Sequence, residues 1–413
     1  MEKIIPTPKQ LEFLSWEMGI FFHFGIRSFF LGHRDWDDRE MPASEFNPTN
    51  LDCEQWIRSA RDAGFKYAVM TAKHHDGFAL WPSKYTDYCV KNSKWKNGKG
   101  DAVAEYVAAC RKYGFKVGIY YSPAQWGGSI NYKDEKEYDD YFINQIGELL
   151  TNYGEIDYLW FDGCGSENHK YDEVRIIKEI RSMQPDIMIF GMWDPDTRWV
   201  GNEDGYAESP NFSVVRDIDF SMMTEEKKSL RNNMFLPAEC DFKMRGTWFD
   251  CELNADTIKE VDELVGIYEY SVGRGANFLL NIGPSRDGSL PPLDTIVLKK
   301  FGDEIKRRYG KPIGSFAPPV IENGKYVIKS CKNELVNRII IKEDLTKGES
   351  VKSFKVYAHL PHYTNKMILV YTGTTVGHKA ICAIPTMNTA KIVVEITDSI
   401  GDYTLSDVSA YYV

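Results

Sequence analysis

Apolar runs alternate with amphipathic segments along the first three quarters of the chain. The runs are four to six residues long and cover residues 19–24, 67–71, 116–121, 158–161, 187–190, 236–239 and 277–282. Continuous apolar runs of this length are typical of parallel strands that are buried on both faces. Seven or eight strand–helix units, with no GxGxxG motif after the first strand, favour an α/β fold of the closed (β/α) barrel (TIM-like) type over an open doubly wound sheet.

The segments between the runs have helical periodicity. Residues 53–63 place Trp56, Ile57 and Ala60 at spacings of three to four residues, which puts them on one helix face. Asp101 and Gly114 are typical N-terminal and C-terminal signals on either side of another helix. Further helices are predicted over residues 136–153, 171–183, 256–272 and 292–309.

The pattern changes near residue 311, where a stretch rich in Pro and Gly is followed by short segments without helical periodicity. We predict strands over residues 325–330, 336–342, 351–360, 366–373, 391–398 and 407–413. Short strands at this spacing predict a small antiparallel β-sandwich. The sequence therefore predicts a (β/α) barrel domain over residues 1–310 and a C-terminal β-sandwich domain over residues 311–413.

Composition excludes several classes of protein. The chain has 50 Lys and Arg residues against 60 Asp and Glu, a formal net charge of −10, which argues against a protein that neutralises nucleic-acid phosphates. No segment approaches the ~18 apolar residues of a membrane helix, and the first residues do not resemble a secretory signal. Its 8 cysteines form no CxxC pair, which is typical of free thiols in a reducing compartment. We expect a cytoplasmic protein with no nucleic-acid or membrane partner.

Side chains that could do chemistry follow the predicted strands at their carboxyl ends, where barrel enzymes place their active sites. They are His23, His74, His75, Tyr121, Asp162, Trp199, Glu203 and Glu239. Carboxylates can transfer protons or attack carbon, imidazoles can hydrogen-bond hydroxyl groups, and aromatic rings can cover the apolar face of a sugar. This set is typical of a pocket that processes a sugar.

Asp162 is the candidate nucleophile. It follows the apolar run YLWF, and Gly163 after it leaves room for close approach of a backbone or a ligand. A glycosidase needs a second carboxyl group, and the residues alone leave Glu203, Glu208 and Glu239 as candidates.

A metal site at His74, His75 and Asp76 is disfavoured by the sequence. Adjacent residues at a strand end are expected to point to opposite sides, so that both imidazoles could not easily bind one ion. No HxH or HExxH motif accompanies them. We expect these histidines to bind ligand hydroxyl groups, and we expect no metal and no organic cofactor.

Long stretches of the chain resemble glycoside hydrolase family 29, the α-L-fucosidases. The most specific matching stretches are GIFFHFG, KHHDGFALWPSKYTD, LWFDG and VGRGANFLLNIGPSRDGSLPP, and the matches extend over about residues 16–295. The segments RWVGNEDGYA and PAECDFKMRGTWF resemble the branch of the family that is selective for α-1,3/1,4-linked fucose on branched, Lewis-type glycans.

The resemblance implies roles for individual residues. Asp162, the Asp of WFDG, would be the nucleophile of a retaining reaction, and Glu203, the Glu of GNExG, would be the general acid and base. The residues implied to bind substrate are His23, Trp36, His74, His75, Tyr121, Glu239, Arg245 and Trp248. The expected partner is an oligosaccharide or glycoconjugate substrate.

Two other functions stay open at this stage. The chain could be a broad-specificity α-L-fucosidase that also accepts α-1,2-linked or aryl fucosides. It could also be a catalytically silent barrel that binds fucose, although the presence of both carboxylates argues against this.

Overall fold

The computed structural model describes residues 3–30, 32, 39–223, 227–360 and 366–413. The N-terminal part contains ten described strands. They are β1 (Met18–Phe22), β2 (Tyr67–Lys73), β3 (Lys116–Tyr121), β4 (Tyr158–Phe161), β5 (Met188–Phe190), β6 (Arg198–Trp199), β7 (Val214–Ile218), β8 (Lys228–Phe235), β9 (Ala238–Lys243) and β10 (Asn277–Asn281).

Eight of these strands form one parallel sheet in the order β5-β4-β3-β2-β1-β10-β9-β6. Its two edges meet at Thr197, whose backbone amide donates to the Ile189 carbonyl and whose carbonyl accepts from the Gly191 amide, at 3.2 and 3.3 Å. The sheet is therefore a nearly closed barrel, which confirms the predicted fold class. Strand β6 and the separate antiparallel pair β7–β8 were not predicted.

Seven α-helices accompany the strands in the part of the chain that the structure describes. They are α1 (Pro8–Trp16), α2 (Cys53–Asp62), α3 (Ala102–Lys112), α4 (Glu135–Asn152), α5 (Glu173–Met183), α6 (Val261–Ser271) and α7 (Pro292–Tyr309). Aspartates 52, 101, 134 and 172 cap the helices α2 to α5 by accepting a backbone amide hydrogen bond, as N-cap residues typically do. Helix α6 begins five residues later than predicted, because residues 252–257 form a separate 3-10 turn.

Apolar side chains form two layers, one on each side of the barrel sheet. The inner layer contains Phe21, Val69, Tyr120, Trp160 and Leu279, together with other residues that fill the barrel. The outer layer packs the opposite faces of the strands against the helices. Successive residues of a strand alternate between the two layers, and this alternation decides which polar side chains can reach the mouth of the barrel.

The C-terminal part is antiparallel. It contains β11 (Val320–Glu322), β12 (Lys325–Glu343), β13 (Val351–His359), β14 (Met367–Gly373), β15 (Ala380–Ser399) and β16 (Leu405–Tyr411). The order is β11-β12-β15-β13-β14, and β16 pairs with β12. Register shifts interrupt the long strands β12 and β15, and the sheet closes over its own apolar core as a β-sandwich. Two predicted strands, 325–330 and 336–342, are one continuous strand in the structure.

Within the described part of the chain, no helix is both long enough and apolar enough to cross a membrane.

Candidate active site

A cavity of about 210 Å³ opens at the carboxyl ends of the barrel strands. Its wall combines histidines, aromatic rings and carboxylates from at least six strand ends with part of the β7–β8 turn. The residues that line it are Phe21, His23, His74, His75, Tyr120, Trp160, Asp162, Gly163, Cys164, Phe190, Trp199, Glu203, Phe220, Ser221, Met222, Met223, Asp241 and Trp248.

Asp162 follows the last residue of β4 and is held by three donors. The Tyr120 hydroxyl donates to Oδ2 at 2.8 Å, and the backbone amide of Cys164 donates to Oδ1 at 2.9 Å. The Nε2 atom of His75 lies 3.4 Å from Oδ2. The Asp162 side chain is still 25% exposed, so the carboxylate is fixed in place and open to the cavity.

The charges of His75 and Asp162 stabilise one another. Burial alone would raise the pKa of Asp162, but the His75 charge and the three donors outweigh it and lower that pKa. Burial would lower the pKa of His75, yet the neighbouring carboxylate raises it to about 10. The pair is therefore an imidazolium facing a carboxylate near neutral pH, and this ionised carboxylate is the form that a nucleophile requires.

The three histidines that were predicted to bind substrate, His23, His74 and His75, all line the cavity. His23 donates through Nδ1 to the Asn281 side chain at 2.8 Å, and its ring lies 4.8 Å from that of Trp248. Arg27 donates to the Nδ1 atom of His74 at 3.0 Å. The expectation that His74 and His75 point to opposite sides is wrong, because β2 ends at Lys73 and the strict alternation of the strand ends with it.

Glu203 also lines the cavity, and it is on the loop after β6. Its Oε2 atom accepts a hydrogen bond from Lys243 Nζ at 2.8 Å, and Lys243 in turn lies over the ring of Trp248 at 4.8 Å. Glu208, the alternative on the same loop, is exposed and does not line the cavity. Of these two carboxylates, only Glu203 shares the cavity with Asp162.

Glu239, which was predicted to contact substrate, does not line the cavity. Strand β9 begins at Ala238, so Glu239 lies near its amino end, 0% exposed, and not at its carboxyl end. It accepts hydrogen bonds from Tyr158 and Trp160 at 3.1 and 2.8 Å and from Tyr67, in the lower barrel interior. Burial raises its pKa to about 7 despite these donors.

Asp241 takes the place in the cavity wall that was predicted for Glu239. It lies two residues further along β9 on the same face, and it accepts a hydrogen bond from Trp199 Nε1 at 2.7 Å. Burial and the nearby Glu203 charge raise its pKa well above the ordinary range. Because side chains two residues apart share a face, a correct strand boundary would have identified it from the sequence.

Tyr121, which was predicted to bind substrate, does not line the cavity. Its hydroxyl donates to Gln145 of helix α4 at 2.8 Å, and its ring belongs to the outer apolar layer. Tyr120, one residue earlier, is the tyrosine that lines the cavity. The spacing of two residues along β3 would have found it, since Gly118 and Tyr120 share the inner face.

Arg245 does not line the cavity either. It pairs with Asp294 of helix α7 at 2.6 Å and with Asp250 at 3.5 Å, and this pairing holds its guanidinium away from the cavity. Trp248 lines the cavity as predicted. Trp36 lies outside the described residues. Among the residues that the structure describes, no group of three or more His, Cys, Asp or Glu side chains could hold a metal ion.

Comparison with known proteins gives one consistent family. The sequence profile of the family described as "Alpha-L-fucosidase" matches residues 7–310. The chain is 34% identical over 417 residues to Alpha-L-fucosidase 1 of Arabidopsis thaliana, across 91% of this chain and 81% of that protein. It is 36% identical over 304 residues to a putative alpha-L-fucosidase 1 of Oryza sativa, across 72% of this chain and 58% of that one.

A solved structure agrees. The crystal structure of a putative alpha-L-fucosidase from Bacteroides ovatus superposes with a TM-score of 0.89 at 34% identity, and the match covers 99% of this chain and 74% of that one. The chain therefore belongs to the alpha-L-fucosidase family, which makes it a glycoside hydrolase that acts on a carbohydrate substrate.

Proposed function

We propose that this chain is a retaining exo-α-L-fucosidase that removes terminal α-1,3/1,4-linked L-fucose from branched, Lewis-type glycans. The reaction is a double displacement with Asp162 as nucleophile and Glu203 as general acid and base, and it uses no metal or organic cofactor. The observation that carries the proposal is the cavity in which an ionised, rigidly held Asp162 and a second carboxyl group, Glu203, occur together.

In the first step a carboxylate oxygen of Asp162 attacks the anomeric carbon of fucose. The glycosidic carbon–oxygen bond breaks, and the carboxyl form of Glu203 donates its proton to the departing oxygen. His75 and Tyr120 keep Asp162 ionised and oriented, so the nucleophile pays little reorganisation cost when substrate arrives.

In the second step the Glu203 carboxylate takes a proton from water. The water oxygen attacks the anomeric carbon, and the ester bond to Asp162 breaks, which releases fucose and restores both side chains. Retention requires the two carboxyl groups to be about 5–5.5 Å apart when substrate is bound. Lys243, which pairs with Glu203 in the free enzyme, is placed to stabilise the carboxylate that this step uses.

The linkage preference is supported by the two segments that resemble the α-1,3/1,4-selective branch. Residues 198–207 contribute Trp199 and Glu203 to the cavity, and residues 237–249 contribute Asp241 and Trp248. The two segments that carry the resemblance therefore supply part of the cavity wall, and a difference in linkage selectivity would arise from the residues of that wall.

The nucleophile is tested by Asp162→Gly in the presence of azide. The variant should lose almost all hydrolysis of an aryl fucoside, and azide should restore turnover as a fucosyl azide, because the small anion fits the space left by the carboxylate. Wild-type activity in Asp162→Gly would contradict the assignment.

The acid and base is tested by Glu203→Ala. This variant should hydrolyse an activated aryl fucoside far better than a natural glycan, because a good leaving group needs no proton. The matched control is Glu208→Ala, an exposed glutamate on the same loop that should behave as wild type. If Glu203→Ala loses activity on both substrates equally, the role of acid and base must be reassigned.

Linkage preference is tested on a panel of three substrates: a Lewis trisaccharide, an α-1,2-fucosyllactose and an aryl fucoside. We expect efficient hydrolysis of the trisaccharide and little of the α-1,2 isomer. Comparable rates on all three would indicate a broad-specificity fucosidase. Binding of fucose without any turnover would indicate a silent fucose-binding barrel.

A further inference from the structure

The hairpin of β7 and β8 lies at the cavity but takes no part in the chemistry described above. Its two strands form a sheet separate from the barrel. In the described part of the turn that joins them, Phe220, Ser221, Met222 and Met223 line the cavity beside Asp162 and Glu203. This turn is an element that the barrel fold does not require.

The turn is docked on the loop that carries Asp162. A Cβ atom on Gly163 would lie 2.0 Å from the Phe220 carbonyl oxygen, so the two backbones touch. The Ser221 hydroxyl donates to the Glu167 carboxylate, and the Met223 amide donates to the same hydroxyl at 3.0 Å. The glycine after the nucleophile is thus the contact point for the turn.

The same turn also contacts the loop that carries Glu203. A Cβ atom on Gly201, whose φ is +98°, would lie 3.0 Å from the Asp219 carboxylate. The turn therefore spans from one carboxylate loop to the other. In a double displacement the nucleophile attacks one face of the anomeric carbon, and the glycosidic oxygen lies on the other face, next to the acid. Because the turn lies close to both carboxylate loops, the group attached to that oxygen would lie beside it.

The surface that the turn presents there is apolar. Met222 and Met223 are 62% and 71% exposed, and both line the cavity. Large apolar side chains at a cavity mark binding surfaces, and the flexible, polarisable thioether adapts to irregular apolar shapes.

We propose that Met222 and Met223 form a leaving-group subsite that binds an apolar surface on the group attached to fucose. Two leaving groups offer that surface: an N-acetylhexosamine, through its acetamide methyl and C–H face, and an aryl ring. The inference rests on the proposed function and adds a determinant of specificity to it.

The test compares leaving groups of different size on the double variant Met222→Ser/Met223→Ser. The substrates are α-L-fucosyl fluoride, which has no group to fill the subsite, fucosyl-α-1,3-N-acetylglucosamine, fucosyl-α-1,3-glucose and an aryl fucoside. We expect the ratio of kcat/KM for the N-acetylglucosamine substrate to that for the fluoride to fall about tenfold. The glucose substrate, which lacks the acetamide methyl, should lose less.

Controls separate the subsite from a folding defect. Met222→Leu/Met223→Leu keeps the apolar surface and should recover the wild-type ratio to within about twofold. Val174→Ser removes an exposed apolar side chain of helix α5, 75% exposed and outside the cavity wall, and should change no ratio.

Each outcome bears on the proposal. A fall for the N-acetylglucosamine substrate alone supports the sugar as the ligand, and a fall for the aryl substrate alone supports the aryl ring. Unchanged ratios, or equal losses for the fluoride and the glycosides, overturn the subsite and leave the proposed function standing. A wild-type enzyme that does not hydrolyse even the fluoride overturns the proposed function itself.

Discussion

Tyr120 and Tyr121 are adjacent in the sequence and have different surroundings, because successive side chains of a strand point to opposite faces. The Tyr120 hydroxyl donates to the Asp162 carboxylate, and its ring stacks on that of His74 with the ring centroids 5.5 Å apart. The Tyr121 hydroxyl donates to Gln145 of helix α4. Replacing either tyrosine by Phe removes the same hydroxyl group. A difference between the two variants therefore reports on where the hydroxyl lies, and not on the chemical change.

Replacement of Tyr120 by Phe removes one donor that lowers the pKa of Asp162. We expect kcat/KM to fall about tenfold, because a hydrogen bond to a charged group is lost. The acidic limb of the pH profile should move to higher pH, since the nucleophile must be ionised and its pKa rises. Tyr121→Phe is the control and should leave that limb unchanged. If both variants shift the limb alike, the Tyr120–Asp162 contact does not tune the nucleophile.

Among the elements, helix α1 closes the amino-terminal end of the barrel. Thr7 and Gln10 form a capping box at its start. Phe13 is fully buried, and its ring lies 5.9 and 5.3 Å from those of Tyr67 and Tyr158, the first residues of β2 and β4. The helix therefore covers the interior beneath the cavity.

Phe13→Ala should lower the free energy of unfolding by about 3–5 kcal/mol, because it leaves a void under the inner layer. Thr7→Ala, which removes only the cap, should cost about 1 kcal/mol. Urea unfolding at neutral pH measures both. If both variants lower the free energy of unfolding by the same small amount, the packing of Phe13 does not hold helix α1 against the barrel.

The elements also show what could and could not be predicted from the sequence. The long apolar runs predicted the bounds of β1 to β5 and β10 to within two residues, because a buried parallel strand has a strong local pattern. Strand β6 has only two residues, which is too short for any periodicity. The strands β7 and β8 mix polar and apolar residues without regular alternation, so their strand pattern is weak. The predicted run covers residues 236–239, whereas β9 extends from Ala238 to Lys243, and the misplaced carboxyl end exchanged Asp241 for Glu239 in the predicted site.

Helix α1 was not predicted, although the sequence contains the signal for its start. Thr7 followed by Pro8 and by Gln10 three residues after the cap is a typical helix start. The site residues that depend on one strand end, such as Asp162 and His23, could be predicted. Met222, which depends on a distant turn, required the structure. Tyr120 could have been identified from the alternation along β3, since it shares the inner face with Gly118.

At the scale of the whole molecule, the barrel and the sandwich share buried contacts. Ile340, Ile381 and Tyr411 of the sandwich belong to the apolar layer outside the barrel strands. Lys379, only 7% exposed, pairs with Glu17 at the start of β1 at 2.5 Å. We infer that the two parts unfold together, because each buries surface that the other would expose.

The Glu17–Lys379 pair should give this joint unfolding a dependence on pH. Burial would raise the pKa of Glu17, but His378 and Lys379 outweigh it and lower that pKa to about 2. The stabilisation is thus present above the ordinary pKa of 4.5 and is lost as the pH falls towards about 2, and it amounts to about 3 kcal/mol. Glu17→Gln should remove this part of the acid dependence of unfolding.

Lys379→Met tests the same pair at neutral pH. It should cost about 3 kcal/mol, because it strips a partly buried carboxylate of its ammonium partner. The double variant Glu17→Gln/Lys379→Met should be more stable than Lys379→Met alone, since it has no partly buried carboxylate that has lost its ammonium partner. All variants should still unfold in one transition that fluorescence and circular dichroism report alike. Two separate transitions in the wild type would mean that the barrel and the sandwich are independent folding units, whatever the pair contributes.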